Sequence, residues 1–503
     1  MPETGSGQAT EESVVNDFGY LQELRRALKF FSVFSVAFSI ISITTGIFLN
    51  FGTSFGELGP AMIWTWPVAA VGQILVALVL AELATRIPLA GANYQWAARL
   101  VSPTYGWFVG ALGVMYGAVG LPGIMLLAAA PLSEFVINDP TATPRLTLFI
   151  ALLLLTVAYL VNIISVQVAT RVNNVAVFTE ILGTVVLAVV LFFLWVGDYK
   201  HTDHGIGYLG HHLHLPGQPY WYAIVLASLI GVYTIVGFES AADMSEEALD
   251  ARRSVPRAMI GSVVVSSVLG MIVLIGFTIA IPNDKTLADG GLPGVFEYWI
   301  GAGLSRLFVG IVVFSMFALT VIGAAANARL IYAMARDNML PGSRLLRSVN
   351  PTTRTPIAAL IVSYLVCVAV MIYGYTSTNA FPTLVGATAL VPFLVYLLTV
   401  VAYGLKRRHL ERLPGAFHLG RFAGPVFAAS LVWLVAVVLA LALPTPFHKA
   451  DYYVAGGLVL AALWWLVGLR PRLARRTAGP DHIPEQRASI GAQPNDPARP
   501  IDG

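Results

Sequence analysis

Two short stretches of this sequence place polar backbone where an apolar run would otherwise continue. The first is Thr44–Thr45–Gly46, within SIISITTGIFLNFG. The second is Ile235–Val236–Gly237, within SLIGVYTIVGFESAADMSEE, with Glu239 and Asp243 just after it. A helix interrupted inside a membrane strips amides and carbonyls of their partners, and each orphan costs several kcal/mol in lipid. Such a break persists only where those groups line a cavity and bind something. A half-helix beginning after Gly46 aims amide donors and the positive end of its dipole at the gap. Its expected ligand is a carboxylate, met by the Thr45 hydroxyl and the Gly46 and Ile47 amides. A half-helix ending before Gly237 offers carbonyls near Ile235 and Val236, and these suit an ammonium. Phe238 would line the pocket from the other side. A zwitterion bridging two opposed helix ends is the ligand that this chemistry fits.

Glu180, in VNNVAVFTEILGTVVL, is a carboxylate inside an apolar run. An ionised carboxylate in a span costs about 2.5–3.5 kcal/mol, so Glu180 needs a partner or a proton. It is either a proton carrier or a structural hydrogen-bond acceptor. Glu239 and Asp243 are four apart and share a helix face. They would gate or relay protons, or pair with Arg252, Arg253 or Arg329. Asn327 and Arg329 read as anchors of their helix. His201, His204, His211, His212 and His214 crowd the loop from Lys200 to Pro219 without helical spacing or cysteines, so a solvated loop is expected rather than a metal site. The single cysteine, Cys367, lies in an apolar run and reads as a packed hydrophobe.

The elements that must position these residues are membrane helices. Of 503 residues 57% are apolar and 11% charged, too few charges to solvate a protein of this size, so lipid covers the rest. A net charge of +3 gives no case for nucleic acid. Twelve stretches are long enough to span, roughly 30–52, 60–85, 104–130, 146–167, 174–197, 220–243, 258–282, 304–334, 356–375, 381–404, 424–444 and 452–469. If the N-terminus lies inside, the outer loops hold only Arg145, Lys200, Lys285, Arg306 and Lys449 of the 30 basic residues. That asymmetry fixes orientation and puts both termini in the cytoplasm. No cleaved signal peptide is expected. The organisation read from this is a cytoplasmic tail 1–29, a first half 30–197, a His-rich outer loop 198–219, a second half 220–405, a final pair 406–470 and a disordered tail 471–503. The breaks fall in the first and sixth spans. Paired interruptions at corresponding places in two halves are the sequence pointer to a transporter site.

Several segments resemble the amino acid–polyamine–organocation superfamily. TTGIF resembles its G-[ST]-G-[IV]-F signature, with Thr44 where a first glycine is usual. IVGFESAADMSEEALDARRSVPRAM resembles its sixth helix and the loop after it. PLAGANYQWAARLVSPTYGWFVG and NARLIYAMARDNMLP resemble its second loop and the exit of its eighth helix. The match covers about residues 30–470 in order and is nearest the amino acid/choline branch, which includes GABA permeases. The resemblance implies an all-α membrane protein with a LeuT-like five-plus-five inverted repeat, discontinuous helices 1 and 6 and two peripheral helices. It aligns Tyr233 with an aromatic that closes over substrate. It places Glu180 where several proton-coupled relatives carry a lysine, six residues after Asn173–Asn174. Sodium-coupled relatives set a hydroxyl pair on helix 8, whereas Val321–Ala326 reads VIGAAA here, which favours protons over sodium.

The expected function is thus a proton-coupled amino acid or GABA-like permease of the plasma membrane, with no cofactor and no metal. A polyamine or choline carrier, and a substrate/product exchanger, remain open within the same fold. A bare cation would leave the helix 1 donors unpaired. An enzyme would need intramembrane nucleophiles or metal ligands. GTSFG at Gly52–Gly56 fits GxSxG, but it follows a membrane helix rather than a strand. A non-transporting receptor differs from a carrier only in a transport assay.

Overall fold

The computed structural model describes residues 14–137, 144–198, 202, 204–213, 218–376, 380–408, 410, 416–444 and 448–482. Long apolar runs become helices because a helix satisfies its own backbone in lipid. Among the described residues, ten helices are long and apolar enough to cross a membrane. The outward faces keep large apolar side chains such as Phe149, Leu160, Phe178, Leu182 and Phe193 exposed, as a lipid-covered surface requires.

The chain begins its bundle with α1 (Phe30–Ile41) and α2 (Ile43–Leu58), separated only by Ser42, whose φ of 36° is left-handed. A 3₁₀ turn, Gly59–Trp64, reverses the chain into α3 (Thr65–Arg86). Then come α4 (Ala92–Leu100), α5 (Pro103–Ile137), α6 (Pro144–Ile164) and α7 (Val166–Asp198). The sixth apolar stretch is fragmented into α8 (Tyr220–Ala227), α9 (Leu229–Thr234) and the single turn α10 (Ser240–Asp243). α11 (Ala251–Ile279) follows, then α12 (Asp284–Arg336), which is kinked at Gly291 and Gly301. The long helices α13 (Ile357–Thr376), α14 (Ala380–Lys406), α15 (Ala423–Ala442) and α16 (His448–Trp464) follow, with short helical turns at Ser343–Leu346 and Arg470–Ala474.

α1 packs against α7 and α11, α9 against α2 and α3, and α5 against α12 and α14. Small residues permit these approaches. Gly270 leaves the space that Trp66 fills, and the Trp66 indole N–H donates to Ser267 O at 2.8 Å.

At the end of the bundle where the chain enters α1, two buried ion pairs tie the loop after α10 to α12. Arg329 Nε meets Glu247 Oε1 at 2.6 Å, and Arg336 Nη2 meets Glu246 Oε1 at 2.9 Å. Residues 14–29, part of the cytoplasmic tail expected from sequence, are packed there. Leu24 and Leu28 are buried, and Tyr20 donates to Asp337 Oδ1 at 2.7 Å beneath the Arg336 guanidinium. Burial, reinforced by the Asp337 charge, pushes the Tyr20 hydroxyl up, so it stays a donor. The expectation of disorder from Pro471 needs correction for residues 471–482. Arg472 stacks over Trp464 and donates to the Leu340 carbonyl at 3.0 Å, while the Gly479 amide donates to Asp337 O at 2.8 Å. Stranded carbonyls after α12 supply the partners that composition did not reveal. The rest of that expected tail lies outside the described residues.

Candidate functional site

Where α1 gives way to α2, the helical ladder is rerouted onto side chains. The Thr44 amide would have closed a turn onto Ile40 O; instead it donates to Glu180 Oε1 of α7 at 3.0 Å. The Ser42 hydroxyl also lies within hydrogen-bond distance of that oxygen, at 3.1 Å, and of Thr45 Oγ1 at 2.7 Å. The Thr45 amide points at Ser42 Oγ, 3.4 Å away, and Thr44 Oγ1 pairs with Thr184 Oγ1 of α7 at 2.9 Å. A carboxylate therefore already sits at the positive end of α2, and it is the protein's own. Glu180 is buried, as are Thr44 and Thr45. The break lies two residues ahead of its expected place. The Gly46 amide donates to Ser42 O at 2.9 Å inside the new helix, so neither it nor Ile47 stands at the helix opening.

Between α9 and α10 the same logic operates with opposite polarity. The Val236 amide turns to Thr234 O at 3.0 Å, and the Gly237 amide donates to the Tyr396 hydroxyl of α14 at 2.8 Å. Both amides would have paired with Val232 O and Tyr233 O in a continuous helix, so those carbonyls lose their partners. They lie earlier than the Ile235 carbonyl expected from sequence. Gly237 takes φ 87°, which an L side chain rarely adopts. Tyr396 in turn donates to the Glu239 carboxylate and stacks on Phe238, with ring centroids 5.3 Å apart. Phe238 is thus packed rather than facing an opening. Tyr233 is half-buried against the core and does not line the cavity described below.

The two breaks meet. Gly46 abuts the Thr234 side chain, and Gly237 abuts Ile40, so each crossing is closed by a missing Cβ. From this crossing a cavity of about 90 Å³ runs between α5, α10, α12 and α14. Gly237, Glu239 and Asp243 line it, whereas Thr44, Thr45, Gly46 and Glu180 do not.

Two of the three basic residues considered as partners for Glu239 and Asp243 are used elsewhere. Arg329 holds Glu247, and Arg252 approaches Asp17 at 3.5 Å. Asn327 does more than anchor its helix: its Nδ2 donates to Ser363 Oγ at 2.9 Å while the residue lines the cavity. Ser315 of α12 faces Glu180 without closing a hydrogen bond to it. It supplies a helix 8 hydroxyl that the stretch Val321–Ala326 lacks. His204 Nε2 donates to Ile281 O at 2.5 Å and its ring stacks on Tyr208, while His211 and His212 are exposed. His201 and His214 lie outside the described residues. Among the described residues no three His, Cys, Asp or Glu side chains gather as metal ligands would.

Comparison with known proteins bears on what such an arrangement serves. The amino acid permease profile matches residues 28–467. The chain is 25% identical to amino-acid permease BAT1 of Arabidopsis thaliana, over 93% of this chain and 96% of that one. It is 27% identical to the BAT1 homolog of Oryza sativa subsp. japonica, over 93% and 96% respectively. It is also 26% identical to a GABA-specific permease of Saccharomyces cerevisiae, over 87% of this chain and 79% of that one. With ten apolar helices of spanning length and a profile match over most of its length, the chain belongs to the amino acid permease family, whose members are multi-pass membrane transporters and not enzymes.

Proposed function

We propose that the protein is a proton-coupled secondary transporter of amino acids or GABA-like zwitterions, set in the plasma membrane with both termini in the cytoplasm. The observation that carries this reading is the meeting of two helix breaks of opposite polarity at Gly46–Thr234 and Ile40–Gly237. An N-terminal helix end and a C-terminal one, side by side, suit the carboxylate and the ammonium of one small ligand, its carboxylate taking over the donors that Glu180 holds in this structure. Thr45 at the first break and the carbonyls around Tyr233, Ile235 and Val236 at the second are the proposed contacts, with Tyr233 closing over the ligand.

The pattern of support around the breaks favours twelve spans in two halves of five plus a peripheral pair. The run Phe30–Arg86 holds two spans turned at Gly59–Trp64, and the fragmented stretch from Tyr220 to Asp243 supplies another. The first break is held by Glu180 on the fifth span of the first half. The second is held by Tyr396 on the fifth span of the second half. Equivalent helices doing the same task support an inverted repeat.

Glu180 gives the reading its coupling step. As a carboxylate it holds the Ser42 hydroxyl and the Thr44 amide; once protonated it accepts them weakly, and the break is free to rearrange. Glu239, tied through Tyr396 to the Gly237 amide, would pass the proton along the cavity. Ser315 supports a second reading, in which sodium is held by oxygens of Glu180, Ser42 and Ser315. A thermal-shift screen over amino acids, GABA, polyamines and choline tests the substrate class. Stabilisation by zwitterions is expected, and stabilisation by choline or polyamines alone would overturn it.

A further inference from the structure

The cavity beyond Gly237 has a chemistry that the two breaks do not use. Its ionisable lining residues besides tyrosine are two carboxylates, Glu239 and Asp243, and no Lys, Arg or His lines it. Asp243 has no ion pair among the described residues, and Glu239 has only the Tyr396 hydroxyl. Two further groups point to a missing ligand. Ser240 is 5% exposed and its Oγ has no hydrogen-bond partner among the described residues; Asn327 is 6% exposed and its Oδ1 has none either. Asn327 gives one Nδ2 hydrogen to Ser363, and its Oδ1 is left as an unmet acceptor in a residue that lines the cavity. The other polar lining groups are Asn93, Tyr94 and Tyr116, and the Tyr94 hydroxyl is committed to Asp337 at 2.7 Å. Buried acceptors left unpaired are costly, and a buried carboxylate pair is costlier still.

We propose that this cavity is a subsite for a second cationic group, the side-chain ammonium of a basic amino acid, received by Asp243, Glu239, Ser240 and Asn327. The inference rests on the reading that the two breaks hold the substrate's own carboxylate and amine. Asp243 lies about one turn beyond Glu239, about 6 Å along the axis, on the side away from the break at Gly237, so a side chain extending from the break meets the two carboxylates in turn. A neutral side chain of equal length would fill the same volume but leave every acceptor unmet.

The experiment compares L-lysine with L-norleucine, which keeps the carbon chain and drops the ammonium. Ligand-induced thermal stabilisation is titrated on the purified full-length protein, and on Asp243→Asn, Ser240→Ala and Asn327→Leu. Wild type should bind lysine at least about tenfold more tightly than norleucine, the effect of one charge-assisted contact. Asp243→Asn should bring that ratio to within about twofold, and each of the other two should lower it severalfold. If Asp243→Asn yields no folded protein, the wild-type ratio and the other two variants decide. Equal binding of both amino acids by wild type, or a lysine preference that survives in the variants, overturns the subsite and leaves the permease reading intact. Binding of neither, nor of any other amino acid, contradicts the permease reading itself and the subsite with it.

Discussion

Replacing Gly237 with alanine tests the second break by adding one methyl group. Gly237 holds φ 87°, and a Cβ placed there collides with Ile40 Cγ2 across the crossing. The left-handed conformation costs a non-glycine residue about 1–2 kcal/mol. Forcing a methyl into a closed contact adds about 1–3 kcal/mol. Ile40 is on α1 two residues before Ser42, so the strain falls on both breaks at once. A loss of about 2–5 kcal/mol is therefore expected, a large part of a typical margin of stability. Gly52→Ala is the control. It sits within α2 with nothing within 4 Å of the new Cβ, where alanine is favoured by about 0.5–1 kcal/mol. The assay is the thermal midpoint of each purified variant beside its uptake of labelled amino acid in proteoliposomes. Gly237→Ala should unfold well below wild type and transport poorly, while Gly52→Ala should match or exceed wild type. A Gly237→Ala protein with wild-type midpoint and uptake would refute both the left-handed turn and the Ile40 contact.

Tyr396→Phe keeps the ring on Phe238 but removes the hydroxyl that serves Gly237 and Glu239. With a buried amide and a carboxylate each left short of a partner, uptake should fall at least about tenfold; unchanged uptake across pH 5–8 would show that Tyr396 only packs. Arg329→Ala leaves Glu247 buried without its 2.6 Å partner, and about 3–5 kcal/mol of stability should go with it. The double variant Arg329→Met/Glu247→Met should recover most of that loss by thermal midpoint, and a double variant as unstable as the single one would argue against the pair. Glu180→Gln keeps both acceptor geometry and volume, so thermal stabilisation by substrate should persist within about threefold; its loss would make Glu180 a substrate ligand rather than a coupling group.

Much of the bundle was legible because its signal is local. Apolar runs of spanning length and glycine-marked interruptions are visible in a window of twenty residues. The break in the first span was read to within two residues. Gly46 drew attention because glycine is the usual bearer of unusual backbone, yet the left-handed residue is Ser42. Its hydroxyl bonds to Thr45 Oγ1 and Glu180, and such support is invisible from residue 42 alone. Glu180 was conspicuous as a carboxylate in a span, but its partners lie 136 and 138 positions away. Tyr396 was missed altogether. A tyrosine in an apolar run reads as packing, and only the stranded Gly237 amide reveals its second role. The ordered segment after Pro471 was missed for the same reason: composition measures what a segment buries on itself, not the carbonyls another helix end offers it.

Uptake of labelled amino acid or GABA into proteoliposomes under an imposed pH gradient, with and without sodium, tests the central claim most directly when wild type and Glu180→Gln are run side by side. The wild type should accumulate substrate above equilibrium when the gradient is present, with or without sodium, and Glu180→Gln should exchange substrate but fail to accumulate it. Full pH-driven accumulation by Glu180→Gln, or accumulation by wild type only when sodium is present, would contradict proton coupling at the first break.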